Sequence, residues 1–270
     1  IASPIGWSSN IISYSLNIGS KRQSKKPWNY KLRKNQVWIN SVSNGTHTRG
    51  NNAYVFTYKN RNQELMKKKA LAGDVDGIQF IDGTKEKRFP PRETFNSTLS
   101  VISEGNVISS VSNLFYLVNK LHDVFYLHGF EEADGNFQVL NFKEGNTEEG
   151  YTDHDPVYVI ASSYKKGENV RSHIMVYEDG IPAIMEIGIV NLSFNNDLIG
   201  YKDEGFSPEI IAHEYFHGLS SRLILVKGKL GCMTKPISKG IDEGLSDAMS
   251  IIWNNKNKTV KTDKLCIGYG

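Results

Sequence analysis

Residues 213–217 read His-Glu-Tyr-Phe-His, and further along the chain reads Asp242-Glu243-Gly-Leu-Ser-Asp247. Few segments constrain a fold so tightly, because side chains with ligand and acid–base chemistry must be brought together from two helices. Residues four apart on an α-helix lie about 40° from each other, so His213 and His217 can aim both imidazoles at one ion. Glu214 sits beside them but too far round the helix to be the natural third ligand. A carboxylate there suits a general base, able to hold and deprotonate a water that a zinc ion has acidified to a pKa of about 7.

The helix that carries the motif is well signalled. Ser207 suits the N-cap and Pro208 the first helical position. Glu209 complements the positive end of the dipole, and Ile210, Ile211, Ala212 and Leu219 supply apolar faces. A catalytic zinc needs a third protein ligand and one open position, and Glu243 heads a second helical stretch running to Trp253. Asp247 follows four residues later on the same face, where it can accept the free ring N–H of His213 and fix its tautomer. His-Glu-x-x-His alone would arise by chance in about one chain in a hundred of this composition. A helix-borne Glu-x-x-x-Asp downstream makes one zinc ion per chain the better reading than a satisfied polar cluster.

With these residues in place, the chain resembles the fungalysins, the M36 family of secreted zinc metalloendopeptidases within the thermolysin-like gluzincins. The likeness extends beyond the metal motif, to Ala2-Ser-Pro-Ile-Gly-Trp7, Thr48-Arg-Gly-Asn-Asn52, Asn113-Leu-Phe-Tyr116, His122-Asp-Val-Phe-Tyr126 and Gly135-Asn-Phe-Gln138. Ser221-Arg-Leu223, Cys232, Glu243-Gly244 and Ser246-Asp247 continue the same order. The resemblance implies His213, His217 and Glu243 as zinc ligands, Glu214 as catalytic base and Asp247 as the partner of His213. It implies a thermolysin-like α+β zincin that cleaves internal peptide bonds, secreted into the extracellular space. Its partners would be protein or peptide substrates and the chain's own removed propeptide.

Two departures from the family pattern leave a second reading, an inactive fragment or a zinc-binding module that engages peptides without cutting them. Arg171-Ser-His-Ile-Met175 stands where the family has an Asn/Ala-rich edge strand. After Glu243 there is no His and no Arg, and Tyr269 is the only Tyr that could steady an oxyanion. The helical lobe that fungalysins carry at the C-terminus is expected to be truncated here.

Composition fits this class. The 270 residues, 39% hydrophobic and 11% aromatic, suffice for a sizeable core. No run approaches the eighteen or so apolar residues of a membrane span. Ile1 in place of Met, with no basic start and apolar run, reads as a processed or excerpted chain. Sequons at Asn44, Asn96, Asn191 and Asn257 would permit glycosylation in a secreted protein. Cys232 and Cys266 could be one disulfide or two buried thiols, and the implied secretion favours the bridge. Lys21, Arg22, Lys25, Lys26, Lys31, Arg33 and Lys34 cluster without an intervening acid, yet net charge is only +3 and no nucleic-acid-binding architecture follows. A solvated loop is the better account, as it is for Lys67-Lys68-Lys69 on an expected helix over 63–71.

The coarse layout is a β-rich N-terminal lobe over 1–106 and a metal-bearing catalytic region over 107–270. Val37-Trp-Ile39, Tyr54–Tyr58 and Pro156–Ile160 read as strands, and Asp179-Gly180 as the turn of a hairpin joining Ile174–Tyr177 to Ala183–Ile187. Val111, Leu114, Phe115, Val118, Leu121 and Phe125 recur at helical spacing within a buried helix over 107–128, stopped by Gly129. His122 on that helix is expected to be a hydrogen-bonded core histidine, and His173 a histidine of the cleft rim.

Overall fold

A computed structural model describes residues 48–58, 78–79, 94–95, 97–139, 155–165, 168–195, 197–224, 233 and 235–255. The expected strand at 37–39, the helix over 63–71, the cationic segment 21–34, both cysteines, Tyr269 and the sequons at Asn44, Asn96 and Asn257 lie outside these residues.

The described chain mixes helices with one sheet, an α+β arrangement. Its strands are β1 (Ala53–Tyr58), β2 (Ile78–Gln79), β3 (Thr94–Phe95), β4 (Val157–Ser163), β5 (His173–Met175), β6 (Ile184–Phe194) and β7 (Asp197–Asp203). Its helices are α1 (Thr98–Val101), α2 (Glu104–Leu127), α3 (Pro208–Leu223) and α4 (Pro236–Asn255). The sheet runs β2-β1-β4-β6-β7-β3, with β5 also on β6. β1 lies parallel to β4 and β4 parallel to β6, so residues from before and after position 106 share one sheet. β6 is long enough to serve three neighbours. Its first half pairs with β4 and antiparallel with β5, and its second half forms a hairpin with β7.

The helix of the apolar periodicity is α2, and its ends have local causes. Ser103 precedes it in an extended conformation and Glu104 favours the positive end of the dipole. At the other end the Phe130 N–H donates to Phe125 O at 3.0 Å and the Gly129 N–H to Tyr126 O at 3.2 Å. Gly129 stands between them at φ 100°, the left-handed turn that a side chain would strain. The buried face of α2, with Leu114, Phe115, Val118 and Leu121, packs on Val55, Val159 and Met185 of the sheet and on Ile211, Tyr215 and Leu219 of α3. This single core fixes α3 against a layer it cannot slide along. His122 is buried beside it, its Nε2 meeting Gln138 Oε1 at 3.1 Å, as a hydrogen-bonded core histidine should.

Two features differ from the sequence reading in detail. Ser207 occupies the N-cap of α3, but its buried hydroxyl makes no capping hydrogen bond, and its carbonyl accepts the first ordinary helical bond from the Ile211 N–H at 3.1 Å. α4 begins at Pro236, seven residues before Glu243. Gly240 lies within that extension, and nothing stands within 4 Å of where a side chain on it would be, so it is an exposed and tolerated helical glycine.

Candidate metal centre

α3 and α4 pack against each other, and their contact face holds the chemistry. His213 Nε2 and His217 Nε2 are 3.0 Å apart. Glu243 Oε2, from α4, lies 3.2 Å from the first and 3.4 Å from the second. Zinc–nitrogen bonds of roughly 2.0–2.1 Å at tetrahedral angles imply ligand atoms about 3.3 Å apart, so the triangle has the size of a zinc site's protein face. Among the described residues this is the group of His, Cys, Asp or Glu side chains placed to hold a metal ion.

The far side of each imidazole strengthens the fit. His213 Nδ1 is 2.9 Å from Asp247 Oδ1, and His217 Nδ1 is 2.7 Å from Asp242 Oδ2. A carboxylate against Nδ1 draws the ring proton there and leaves Nε2 as a bare lone pair. Two lone pairs 3.0 Å apart repel unless a cation lies between them and the Glu243 oxygen. The donor set therefore suits a divalent, nitrogen-loving metal.

Asp242 is the member that sequence reasoning missed. It was visible as the neighbour of Glu243, but its direction depends on how α4 crosses α3. Its other oxygen accepts from Ser220 Oγ on α3, while Ser246 Oγ also reaches His217 Nδ1 at 3.1 Å. Asp242 is thus locked between the two helices.

Glu214 points to the opposite flank of the histidine pair and is only 8% exposed. Burial pushes its carboxyl up to about 7, with Glu243 and Glu204 adding to the rise; His217 and the Ile174 N–H, which donates to the carboxylate, oppose it. A carboxyl poised near neutrality can both take and return a proton.

Ile174 belongs to β5, the strand that crosses above α3. Two glycines allow that crossing to be close. A Cβ on Gly218 would meet Ile174 Cδ1 at 3.0 Å, and one on Gly188 would meet the carbonyl oxygen of Val170 at 1.6 Å. Ser172 adds a brace, donating through N and Oγ to Glu204 Oε2 at 3.2 and 2.6 Å. The hairpin turn is tied to α3 by Arg222, whose Nη1 reaches Asp155 and Asp179 at 2.8 Å each and whose Nη2 donates to Ile181 O at 3.0 Å. Between β5 and α4 a cleft of about 580 Å³ opens over His213, Glu214, His217 and Glu243. His173 lines that cleft as a rim residue, with Nε2 3.7 Å from the buried Glu186.

A mixed α+β body thus sets a His-Glu-x-x-His helix against a helix-borne glutamate, under the strand β5. The family model of the fungalysin metallopeptidases (M36) matches residues 7–269, and the chain belongs to that family. An extracellular metalloproteinase (MEP) of Fusarium vanettenii is 30% identical over 236 residues, covering 86% of this chain and 32% of the relative. Extracellular metalloproteinase 5 of Arthroderma benhamiae is 27% identical over 230 residues, 85% of this chain and 32% of the relative. An extracellular metalloproteinase of Pyrenophora tritici-repentis is 34% identical over 139 residues, 52% of this chain and 19% of the relative. The chain thus spans about a third of the length of the first two relatives.

Proposed function

We propose that this chain carries the metal centre of a secreted zinc-dependent endopeptidase with a thermolysin-like active site. His213, His217 and Glu243 would hold one zinc ion, which when bound supplies a Lewis acid for the scissile carbonyl and acidifies the attacking water. The observation that carries the reading is the triangle of three donor atoms, 3.0 to 3.4 Å on a side, with a buried carboxylate beside it.

Glu214 takes the proton from the attacking water and passes it to the leaving amide nitrogen. Its buried position keeps bulk water from competing for that proton. Asp247 orients His213, and Asp242 orients His217, so both rings present Nε2. An extended peptide lying along β5 would gain affinity from main-chain contacts without having its side chains read, with the Ile174 N–H already given to Glu214. Membership of a metallopeptidase family supports protein and peptide substrates. The relatives are named extracellular metalloproteinases, which supports an extracellular setting.

The test is Glu214→Gln. Cleavage of a quenched fluorescent protein substrate should fall to background, while zinc stoichiometry, measured by metal analysis after gel filtration, stays near one per chain. Cleavage persisting in the purified variant would refute the assignment of the base.

A further inference from the structure

The cleft over the metal centre carries fixed charges of two kinds, and only one kind is satisfied. Its carboxylates are committed: Glu214 to the Ile174 N–H, Asp242 to His217 and Ser220, and Glu243 to the histidine pair. The cations are not. Arg171, entering β5, and Lys239, on the first turns of α4, line the same cleft from opposite walls, and both are exposed. Neither side chain has a hydrogen-bond or ion-pair partner among the described residues.

The other end of the cleft is different. Beyond His213, toward the start of α3, a lobe of about 380 Å³ is lined by Glu204, Glu209 and Asp247, and Arg171 stands at its junction with the first. The groove therefore differs in charge along its length, with the cation Lys239 past His217, the carboxylates of Glu204, Glu209 and Asp247 past His213, and Arg171 between them. An extended peptide lying along β5 places the residues on one side of its scissile bond over Lys239 and those on the other side over Glu209.

Resting on the endopeptidase reading above, we infer that Arg171 and Lys239 select substrates with an acidic side chain on the His217 side of the bond to be cut. A carboxylate there meets two unpaired cations across the cleft; a lysine meets the same two as repulsion. Exposed pairs are weak and screened by salt, so the discrimination is modest, roughly 3- to 10-fold, and fades at high ionic strength.

Matched peptides carrying Glu, Gln or Lys at each of the positions flanking one cleavage site test this on the zinc-loaded chain. On one side of the bond alone, kcat/KM should rank Glu above Gln above Lys, with the ratio approaching one in about 1 M salt. In the double variant Arg171→Glu with Lys239→Glu, two surface changes that leave the metal site intact, the order should invert. Cleavage with no difference between Glu and Lys, or a difference that survives the double variant, overturns the inference and leaves the endopeptidase reading standing. Binding of the same peptides to zinc-loaded Glu214→Gln, followed by fluorescence anisotropy, supplies a readout free of turnover. Tighter binding of the Glu peptide supports the inference even if no peptide is cut, a result that would instead refute the endopeptidase reading; equal binding overturns the inference.

Discussion

Glu214 should make the metal-free protein less stable as the pH rises through neutrality, and glutamine in its place should remove that loss. The cause is burial: in the fold its carboxyl titrates at about 7, against an ordinary value of 4.5. The native state therefore holds a proton that the unfolded chain has already released between those limits. Stability rises with pH only where the unfolded state binds more protons, so here it falls. With about 1.4 kcal/mol per pH unit, the gap is worth about 3 kcal/mol of stability, fully present below pH 4.5 and fully lost above pH 7. Urea unfolding of chelator-treated wild type and Glu214→Gln at pH 4 and pH 8 isolates the effect, because the other titrating groups are common to both. The variant should gain about 3 kcal/mol relative to wild type between the two pH values, or roughly 6–12 °C in Tm. Zinc beside the carboxylate favours its charged form, so saturating metal should shrink the gap. Parallel pH profiles for the two metal-free proteins would refute the claim that burial controls this group.

Three further outcomes follow from the packing around the centre. Asp242→Ala should weaken zinc binding roughly 10- to 100-fold in a chelator competition, as should Asp247→Ala, and unchanged affinity in either would show that the imidazole it touches needs no partner. Arg222→Met should cost about 3–5 kcal/mol by urea unfolding, since it strands the carboxylates of Asp155 and Asp179 in a buried site; a wild-type midpoint would sink that account. Gly188→Ala should cost on the order of 3 kcal/mol and lower peptide affinity, because its Cβ would press on the Val170 carbonyl and push the entry to β5 away from β6.

How much of this was readable in advance depends on the range over which each feature is decided. The position of α3 was legible because Ser207, Pro208 and Glu209 are local signals and because His213 and His217 are separated by one helical turn. α2 and its stop were legible for the same reason, a 3.6-residue apolar period ending at Gly129, and so was the hairpin that sets β5 on β6. The start of α4 was not, since a solvent-facing glycine reads in sequence like a break and only its surroundings show that it is harmless.

The sequence by itself determined the kind of chemistry: which residues could be ligands, which carboxylate could be a base, and that two helices must bring them together. Spacing along one helix decides those points, and spacing survives in the linear chain. Only the tertiary structure decided that Asp242 meets His217, that Arg222 ties the hairpin turn to α3, and that β1 and β4 lie side by side in one sheet. Each of these joins residues far apart in the chain, through a helix crossing or a strand pairing set by the whole core. The sign of charge along the cleft belongs to the same category, because Arg171 and Lys239 become neighbours of one groove only when β5 and α4 form its two walls.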